Sequence, residues 1–220
     1  MGKKSKANDN FNLKGVDFNF FRSLANCGHI SKSDYRNYIA PLSNAKDKIS
    51  YMDSRVDKYI EKGFIKTVAD PRTKETHYKF TKEGEKFIRN YQFGKDKPIL
   101  YFQKAAQYPY HDSKIAEKYF SLTLEQQKSW VNETELKIEF KNYIDELKST
   151  DYNKAHNLEE RYSSDYKGED KISVPDGKWV TETGTEICWE AQTNSYGELD
   201  LIAKENFTSV MHYEIEFSTK

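Results

Sequence analysis

The stretch IEKGFIKTVADPRTKETHYKFTKEG, residues 60–84, decides the fold of the first half of this 220-residue chain. Gly63 stands where a glycine commonly ends a helix, since glycine adopts the left-handed conformation at little cost. Residues 64–68 and 76–80 read as two strands, and Asp70-Pro71 lies between them, where proline presets the backbone for a turn. The stretch therefore predicts a helix that ends at Gly63 and a β-hairpin directly after it.

Three helices are predicted ahead of this hairpin and one behind it. Residues 16–26 carry apolar side chains at helical spacing, and Ser31 caps a short helix that runs to Ile39. Ser50 is the candidate cap of the third helix, and Thr81 begins the helix after the hairpin. The third helix has one apolar stripe, formed by Ile49, Met52, Val56, Tyr59 and Ile60. The first half is therefore predicted to fold as helices packed on a small sheet.

The formal charge of zero hides a division between the two halves. Residues 1–95 hold 20 Lys and Arg against 11 Asp and Glu, a net charge of +9, whereas residues 96–220 hold 15 against 24, a net charge of −9. Lysine and arginine bind polyanions because they release counterions from phosphates. The basic half therefore predicts a nucleic-acid partner, whereas the acidic half fits a carboxylate-lined metal site, a protein partner or solubility.

The order of three helices, a basic-tipped hairpin and a helix resembles the winged-helix family over about residues 14–92. This resemblance implies that the third helix enters the major groove of duplex DNA and that the hairpin, as the wing, touches the backbone or the minor groove. The residues that it assigns to DNA binding are Lys48, Ser50, Tyr51, Ser54, Arg55 and Lys58 on the helix and Arg72 and Lys74 on the wing. Two alternatives stay open: these side chains only solvate the surface, or the winged helix contacts a protein.

The sequence shows no feature of a membrane or secreted protein. No apolar run approaches the ~18 residues that a transmembrane helix needs. Cys27 and Cys188 lie far apart in the sequence, which argues against a disulfide framework and against a paired-cysteine zinc site. We expect a cytoplasmic protein without a membrane partner. Its predicted organisation is a disordered basic tail over residues 1–10, a winged-helix DNA-binding domain over 11–95 and a second domain over 96–220.

The second half is predicted to begin with helices and to end in a sheet. His111-Asp112 opens a helix that runs to Phe120, where His111 serves either as a ligand or base or as an ordinary capping or packing residue. A longer helix follows over 133–147, and residues 148–171 read as a long, mobile polar loop that contains a helical turn at residues 157–162. Four strands are predicted after it, over residues 178–183, 186–192, 198–204 and 209–218.

Acidic side chains are grouped in this predicted sheet. Glu214 and Glu216 are two residues apart, so that in a strand both point to one face. Two acids on one face of an otherwise apolar strand are costly unless a charge compensates them, and Mg²⁺ prefers such oxygen ligands. Asp200 and Asp176, the latter in Pro175-Asp176-Gly177, are the other candidates. The acids therefore predict a Mg²⁺ site, with a solvated strand face as the alternative.

A strand with an aspartate, a turn and a strand that ends in acids resembles the core of the PD-(D/E)XK nuclease family. The resemblance implies a Mg²⁺ site with Asp200 and Glu214 as ligands, and Asp176 is the alternative to Asp200 as the matching aspartate. It also implies catalysis by Asp200 and Glu214 with a lysine that positions or activates water. Glu216 occupies the position of that lysine here, and Lys220 or Lys204 would have to act from a shifted position. A pseudo-nuclease without a cofactor is therefore favoured over an active Mg²⁺-dependent enzyme.

A second resemblance, to the replication-relaxation family, covers most of the chain. This family includes MobC-type accessory proteins of plasmid mobilisation. The elements that carry it are, in order, His111-Asp112, Trp130 with Glu133 and Leu136, Pro175-Asp176-Gly177, and the segment from Glu214 to Lys220. It implies an α+β protein in which a winged helix-turn-helix precedes a PD-(D/E)XK-like (pseudo-)nuclease domain.

This second resemblance also implies a function. The protein would bind duplex DNA at an origin of transfer or replication as part of a relaxosome and assist a relaxase in conjugation, with a homodimer as one arrangement. A Mg²⁺-dependent PD-(D/E)XK endonuclease is the alternative function. A winged-helix transcriptional regulator, which senses a signal through its second domain, is the third.

Overall fold

A computed structural model describes residues 13, 15–91, 98–193 and 196–218, and its mixture of helices and small sheets confirms the α+β class. The predicted basic tail lies outside the described residues. The helices of the described part are α1 (Gly15–Cys27), α2 (Lys32–Asp34, continued by a π-helical turn Tyr35–Ile39 and a 3₁₀ turn Ala40–Leu42), α3 (Lys48–Glu61), α4 (Lys82–Arg89), α5 (Pro109–Ser121), α6 (Leu124–Ser129), α7 (Glu133–Thr150), α8 (Tyr152–Tyr162) and α9 (Glu198–Met211). The strands of that part are β1 (Ile30–Ser31), β2 (Ile65–Ala69), β3 (Thr76–Phe80), β4 (Val131–Asn132), β5 (Gly177–Val180), β6 (Glu186–Glu190) and β7 (Glu214–Phe217).

Residues 15–91 form the part that we call the N-terminal body, in which α1 to α4 surround a three-stranded antiparallel sheet. Its strand order is β1-β3-β2. Ile65 lies opposite Phe80 in the hairpin, and Ile30 lies opposite Tyr78 at the edge. The predicted hairpin is therefore confirmed, and the short strand ahead of α2 pairs with its second strand.

Local hydrogen bonds explain where the helices of this body begin. The Ser31 hydroxyl accepts from the backbone N–H of Asp34 at 3.0 Å, and the Asp34 carboxylate accepts from that of Ser31 at 2.8 Å. This capping box confirms the predicted start of α2. Asp47, rather than Ser50, caps α3, because its carboxylate accepts from the Ser50 N–H at 3.0 Å. Gly63, with φ of 72°, ends α3 as predicted.

One apolar core continues from the N-terminal body into the rest of the chain. Phe20, Phe21 and Tyr59 are fully buried at its centre. The same core includes Phe102 and Tyr119, which lie beyond the predicted domain boundary at residue 95. That boundary therefore does not coincide with an edge of the core.

The second half is built on a four-stranded sheet of order β4-β5-β6-β7. Neighbouring strands are antiparallel except for β6 and β7, which are parallel and are joined through α9. Both faces are covered. Trp179 and Trp189 extend from one face into the core shared with the N-terminal body, whereas Cys188 packs on the other face with Phe140 of α7 and Phe207 of α9.

The prediction of a strand over residues 198–204 is wrong, because these residues begin α9. The alternation of Leu199 and Leu201 suggested a strand, but Leu199 is 57% exposed. The buried positions recur at helical spacing instead, and they are Ala203, Lys204, Phe207 and Thr208. Residues 209–211 complete the helix, so the last strand is limited to β7.

The prediction of a mobile loop over residues 148–171 is also wrong in part. Asp151 caps α8 by accepting from the N–H of Lys154 at 3.0 Å. Ala155 and Leu158 of α8 are buried against α7. This apolar contact supplies the stabilisation that a polar sequence did not suggest. No helix among the described residues is long and apolar enough to cross a membrane.

Candidate nucleic-acid interface and carboxylate site

The exposed side of α3 carries four of the residues predicted to bind DNA, namely Lys48, Ser50, Ser54 and Lys58. The Lys48 ammonium donates to the carbonyl oxygen of Pro41 at 2.7 Å, and the Ser50 hydroxyl donates to Asp47 at 2.8 Å. Lys58 makes no ion pair with any side chain of the described residues. This side of α3 therefore presents two lysines and two hydroxyl groups to solvent, beside the exposed acids Asp57 and Glu61.

Arg55 and Tyr51 face inward, which corrects the prediction that they contact DNA. The Arg55 side chain is only 12% exposed, and its Nη2 and Nε lie 2.5 Å and 2.9 Å from the carboxylate oxygens of Asp17 on α1. Asp17 is fully buried and also accepts from the hydroxyl of Tyr59. A buried carboxylate is costly without a cation, so it holds the guanidinium away from solvent. Tyr51 is half-buried against the core.

The hairpin tip presents the other two predicted DNA contacts, Arg72 and Lys74, both of which are exposed. The turn is held by Asp70, whose carboxylate accepts from the backbone N–H of Arg72 at 2.7 Å. The guanidinium carbon of Arg72 lies 4.0 Å from the centre of the Tyr110 ring on α5. The tip is therefore basic, as predicted, and it also touches the second half of the chain.

Two carboxylates meet at one end of the β5–β6 hairpin. Asp176 directly precedes β5 and Glu190 ends β6, and the antiparallel register sets Gly177 opposite Trp189. The Glu190 carboxylate accepts from the backbone N–H of Asp176 at 3.1 Å, and the Asp176 carboxylate accepts from that of Ala191 at 2.9 Å. Both side chains are buried, Glu190 completely. Each carboxylate is thus held by the backbone of the other strand.

A lysine and a tyrosine contact Glu190 from the helical side of the sheet. The Lys204 ammonium lies 3.0 Å from the carboxylate and donates to the carbonyl oxygen of Val174 at 2.7 Å. The Tyr196 hydroxyl donates to the same carboxylate at 2.5 Å. Burial, followed by the charge of Asp176, raises the pKa of Glu190 to about 7, although Lys204 and Tyr196 favour its charged form. A carboxyl group displaced in this way beside a second acid is typical of functional sites.

His111 of α5 contacts Asp176 from the other side. Its Nε2 lies 3.3 Å from the Asp176 carboxylate, and its Nδ1 lies 3.2 Å from Asp112. Burial opposes the charged imidazolium, but hydrogen bonds to Asp112 and Asp176 outweigh it and raise the pKa of His111 to about 10. Asp112 in turn lies 2.7 Å from Nδ1 of His29 in the N-terminal body. His111 therefore serves as a cation between two carboxylates.

Asp200, predicted as a metal ligand, does not join this carboxylate pair. It is exposed in the first turn of α9, where its carboxylate accepts from the backbone N–H of Gly197 at 2.9 Å. Asp200 is the third residue of α9, and its carboxylate reaches back to the N-cap residue Gly197 as in a capping box. The predicted catalytic residue Lys220 lies outside the described residues.

Glu214 and Glu216 lie on the opposite face of the sheet from Glu190. In the parallel register of β6 and β7, Glu216 pairs with Trp189, whose side chain points away from that of Glu190. Both glutamates are exposed, and Glu216 accepts from the ammonium of Lys118 on α5 at 2.8 Å. Glu214 and Glu216 therefore lie on a solvated strand face, which was the alternative to a Mg²⁺ site.

Glu190 is the site residue that sequence reasoning missed, whereas Lys204 was named only as a stand-in for the nuclease lysine, without its partner Glu190. The sequence did contain a signal for Glu190. In the predicted hairpin, Asp176 lies just ahead of the first strand, and this position is beside the end of the second strand, where Glu190 lies. Asp176 should therefore have been paired with Glu190. The inward position of Lys204 was hidden by the wrong strand assignment. Only in a helix does this residue face inward beside Ala203 and Phe207.

Asp176 and Glu190 supply oxygen ligands of the kind that Mg²⁺ prefers, and cations of the chain already pair with both carboxylates. Proteins commonly hold Mg²⁺ with one or two carboxylates, while water and substrate phosphates complete its octahedron. Asp176 and Glu190 supply two such groups at one place, and Lys204 and His111 compensate their charge in the chain itself. The described residues contain no cluster of three His, Cys, Asp or Glu side chains that could hold a metal. The predicted combination of Asp176 with Asp200 and Glu214 is therefore not such a cluster.

Comparisons of this chain with protein-family models, with curated proteins and with solved structures find no match. Its function is therefore inferred from the two features described above. The first is the basic surface of α3 and the hairpin tip. The second is the carboxylate site, formed by Asp176, Glu190, Lys204 and His111.

Proposed function

We propose that this protein binds duplex DNA through the exposed side of α3 and the hairpin tip, as a winged-helix domain does. The observation that carries the proposal is the strand order β1-β3-β2, in which a helix with exposed basic side chains directly precedes a hairpin tipped by Arg72 and Lys74. In winged-helix proteins the corresponding helix lies in the major groove and the hairpin touches the backbone or the minor groove. A cytoplasmic location fits this proposal.

The charges of the N-terminal body support this proposal. Residues 15–91 hold 15 Lys and Arg against 10 Asp and Glu. Asp17 binds Arg55 and Asp53 binds Arg36, so that each pair removes one acid and one arginine and the net charge of +5 is unchanged. The exposed lysines of α3 and of the hairpin are therefore left to attract phosphates, which bind them by releasing counterions.

A double substitution of Lys58→Ala and Lys74→Ala tests the DNA surface. We expect the variant to bind duplex DNA more weakly, and the slope of log affinity against log salt to become shallower by about 2, since each phosphate contact contributes about 1. Fluorescence anisotropy of a labelled duplex measures both quantities. The matched control removes two exposed lysines of the acidic half, Lys141→Ala and Lys154→Ala, and should bind like the wild type. Equal loss in both variants, or no loss in either, would contradict the assigned surface.

A second candidate function, divalent-metal-dependent cleavage of the DNA backbone, is favoured by the carboxylate site. Its motivating observation is that two acids and a lysine converge at one end of the β5–β6 hairpin, which is the combination that PD-(D/E)XK nucleases use. Asp176 and Glu190 would hold the cation, which when bound polarises the phosphate and lowers the pKa of attacking water. The Lys204 ammonium, 3.0 Å from Glu190, would orient that carboxylate and offer positive charge to the phosphate.

Incubation of supercoiled plasmid with Mg²⁺ or Mn²⁺ tests this activity. We expect the wild type to nick the plasmid and the double variant Asp176→Asn/Glu190→Gln to leave it intact, because the variant cannot hold the cation. Asp200→Ala/Glu214→Ala is the control, and it should cut like the wild type. Cutting by the Asp176 and Glu190 variant would refute the site. DNA binding without cutting by any of the three proteins would indicate a nuclease relic within a DNA-binding protein.

The biological setting that we propose is a transfer or replication origin, where the protein assists a relaxase. The support is the resemblance to replication-relaxation proteins, whose His-Asp and Pro-Asp-Gly elements correspond to His111-Asp112 and Pro175-Asp176-Gly177 here. His111 and Asp176 lie 3.3 Å apart, although they are distant in sequence. Footprinting on the DNA that flanks the gene tests the setting. Protection of a promoter instead would favour a transcriptional regulator.

A further inference from the structure

The first turn of α5 contacts three separate parts of the molecule. Tyr110 lies under the guanidinium of Arg72, at 4.0 Å from its ring centre, and so touches the hairpin tip. His111 touches the carboxylate site through Asp176, at 3.3 Å. Asp112 touches the interior of the N-terminal body through His29, at 2.7 Å. Consecutive residues of one turn therefore connect the DNA-facing hairpin to the carboxylate site.

The contact at Asp112 fixes this turn in place. Asp112 and His29 are both fully buried or nearly so, and the carboxylate also accepts from the backbone N–H of Ala106 at 3.0 Å. Gly28 has a φ of 78°, and a Cβ there would lie 2.5 Å from the Asp112 carboxylate. Charged groups are buried only where partners compensate them. The chain thus brings its backbone unusually close to Asp112 and holds this residue at a defined position.

Arg72 has two alternative partners, the ring of Tyr110 and a DNA phosphate. Arg72 is exposed at the hairpin tip and lies over the Tyr110 ring in the free protein. A DNA phosphate offers the same guanidinium a bidentate, charge-assisted contact, which is stronger than its contact with an aromatic ring. Binding of DNA at the hairpin therefore competes with the contact that Arg72 makes on α5.

We propose that the first turn of α5 couples DNA engagement at the hairpin tip to the position of His111, and through it to the Asp176 carboxylate. The inference rests on the proposed binding of DNA by the N-terminal body. When Arg72 leaves Tyr110 for a phosphate, the turn relaxes about its anchor at Asp112, and the contact between His111 and Asp176 changes. The coupling is reciprocal. If DNA changes the affinity of the carboxylate site for a ligand by some factor, that ligand changes the affinity for DNA by the same factor.

The test uses the full chain labelled with ¹⁵N-histidine, a short duplex and no metal. The imidazole nitrogens of His111, identified by their absence in His111→Gln, should shift when the duplex is added to the wild type. Tyr110→Phe keeps the ring under Arg72 and should keep the response. Tyr110→Leu should lose it while still binding DNA. Tyr108→Leu is the matched control, since Tyr108 is exposed two residues away and should leave the response intact.

The outcomes separate this inference from the proposed function. A wild type that binds the duplex without any change at His111 overturns the coupling and leaves DNA binding standing. Loss of the response in Tyr108→Leu as well as in Tyr110→Leu also overturns it, because the effect would then not depend on the ring under Arg72. A wild type that binds no duplex removes both the proposed function and the coupling.

Discussion

The buried carboxylate of Glu190 is surrounded by hydrogen-bond donors and yet has a raised pKa. It accepts from the backbone of Asp176, from Tyr196 and from Lys204, so that a charged group without access to solvent is held by three donors. Burial and the neighbouring acid nevertheless raise its pKa to about 7. A purely structural ion pair would more commonly lower the pKa of its acid. Burial and Asp176 therefore disfavour the charged form of Glu190 by more than Lys204 and Tyr196 favour it.

The pH dependence of stability tests this view of Glu190. A native pKa above the unfolded value of about 4.3 means that the native state holds the proton more tightly. The contribution of the neutral acid is therefore present below that unfolded value and is lost as the pH rises towards about 7. Relative to Glu190→Gln, the wild type should lose about 3 to 4 kcal/mol of unfolding free energy across this window. Urea denaturation of both proteins on either side of the window measures the difference, and a constant difference would contradict the assigned pKa.

Helix α9 shows what decides between a helix and a strand when short-range patterns disagree. The run Leu199, Asp200, Leu201 alternates as a strand does, and this local pattern gave the wrong element. Over its full length the helical period prevails, because Ala203 and Phe207 are buried against α7 and the sheet. By contrast, the hairpin of β2 and β3 was predicted within one residue, since Asp70-Pro71 and Gly63 act locally. Elements set by turn residues can thus be read from sequence more easily than elements set by distant packing.

Asp200→Ala tests the corrected role of this residue at the start of α9. The substitution removes the hydrogen bond from the backbone of Gly197, and it should cost about 1 kcal/mol of unfolding free energy, as the loss of a helix cap does. Plasmid nicking and DNA affinity should stay unchanged, because Asp200 lies outside the carboxylate pair. Denaturant unfolding and the plasmid assay measure the two effects. Loss of nicking with unchanged stability would restore Asp200 as a metal ligand.

At the scale of the whole molecule, the two halves differ in charge but share one core. Composition predicted the basic and acidic halves and the class of the fold. It could not predict that Phe102 and Tyr119 complete the core around Phe20 and Phe21, because such contacts depend on how separate elements pack. Nor could it show that buried Asp17 would draw Arg55 away from the proposed DNA surface. The shared core and the position of Arg55 are determined by contacts between residues that are distant in sequence, and local propensity does not reveal such contacts.

A fragment of residues 1–95 tests whether the shared core matters for folding. Without α5 and the segment around Phe102, the apolar faces of α1 and β3 would be exposed to water. Each Å² of exposed apolar surface costs about 25 cal/mol, and a domain of that size is stable by only about 5–15 kcal/mol. We expect the fragment to melt without a cooperative transition and to bind a hydrophobic dye. Cooperative unfolding of the isolated fragment would show that the N-terminal body is independent.

The measurement that tests the central claim most directly is the affinity of the wild-type protein for duplex DNA as a function of salt. Four exposed basic side chains, Lys48, Lys58, Arg72 and Lys74, lie on the proposed surface. Log affinity should therefore fall linearly with log salt, with a slope of about −3 to −4. Absence of binding at low salt, or binding that salt does not weaken, would contradict the proposal that this protein binds the DNA backbone through the α3 and hairpin surface.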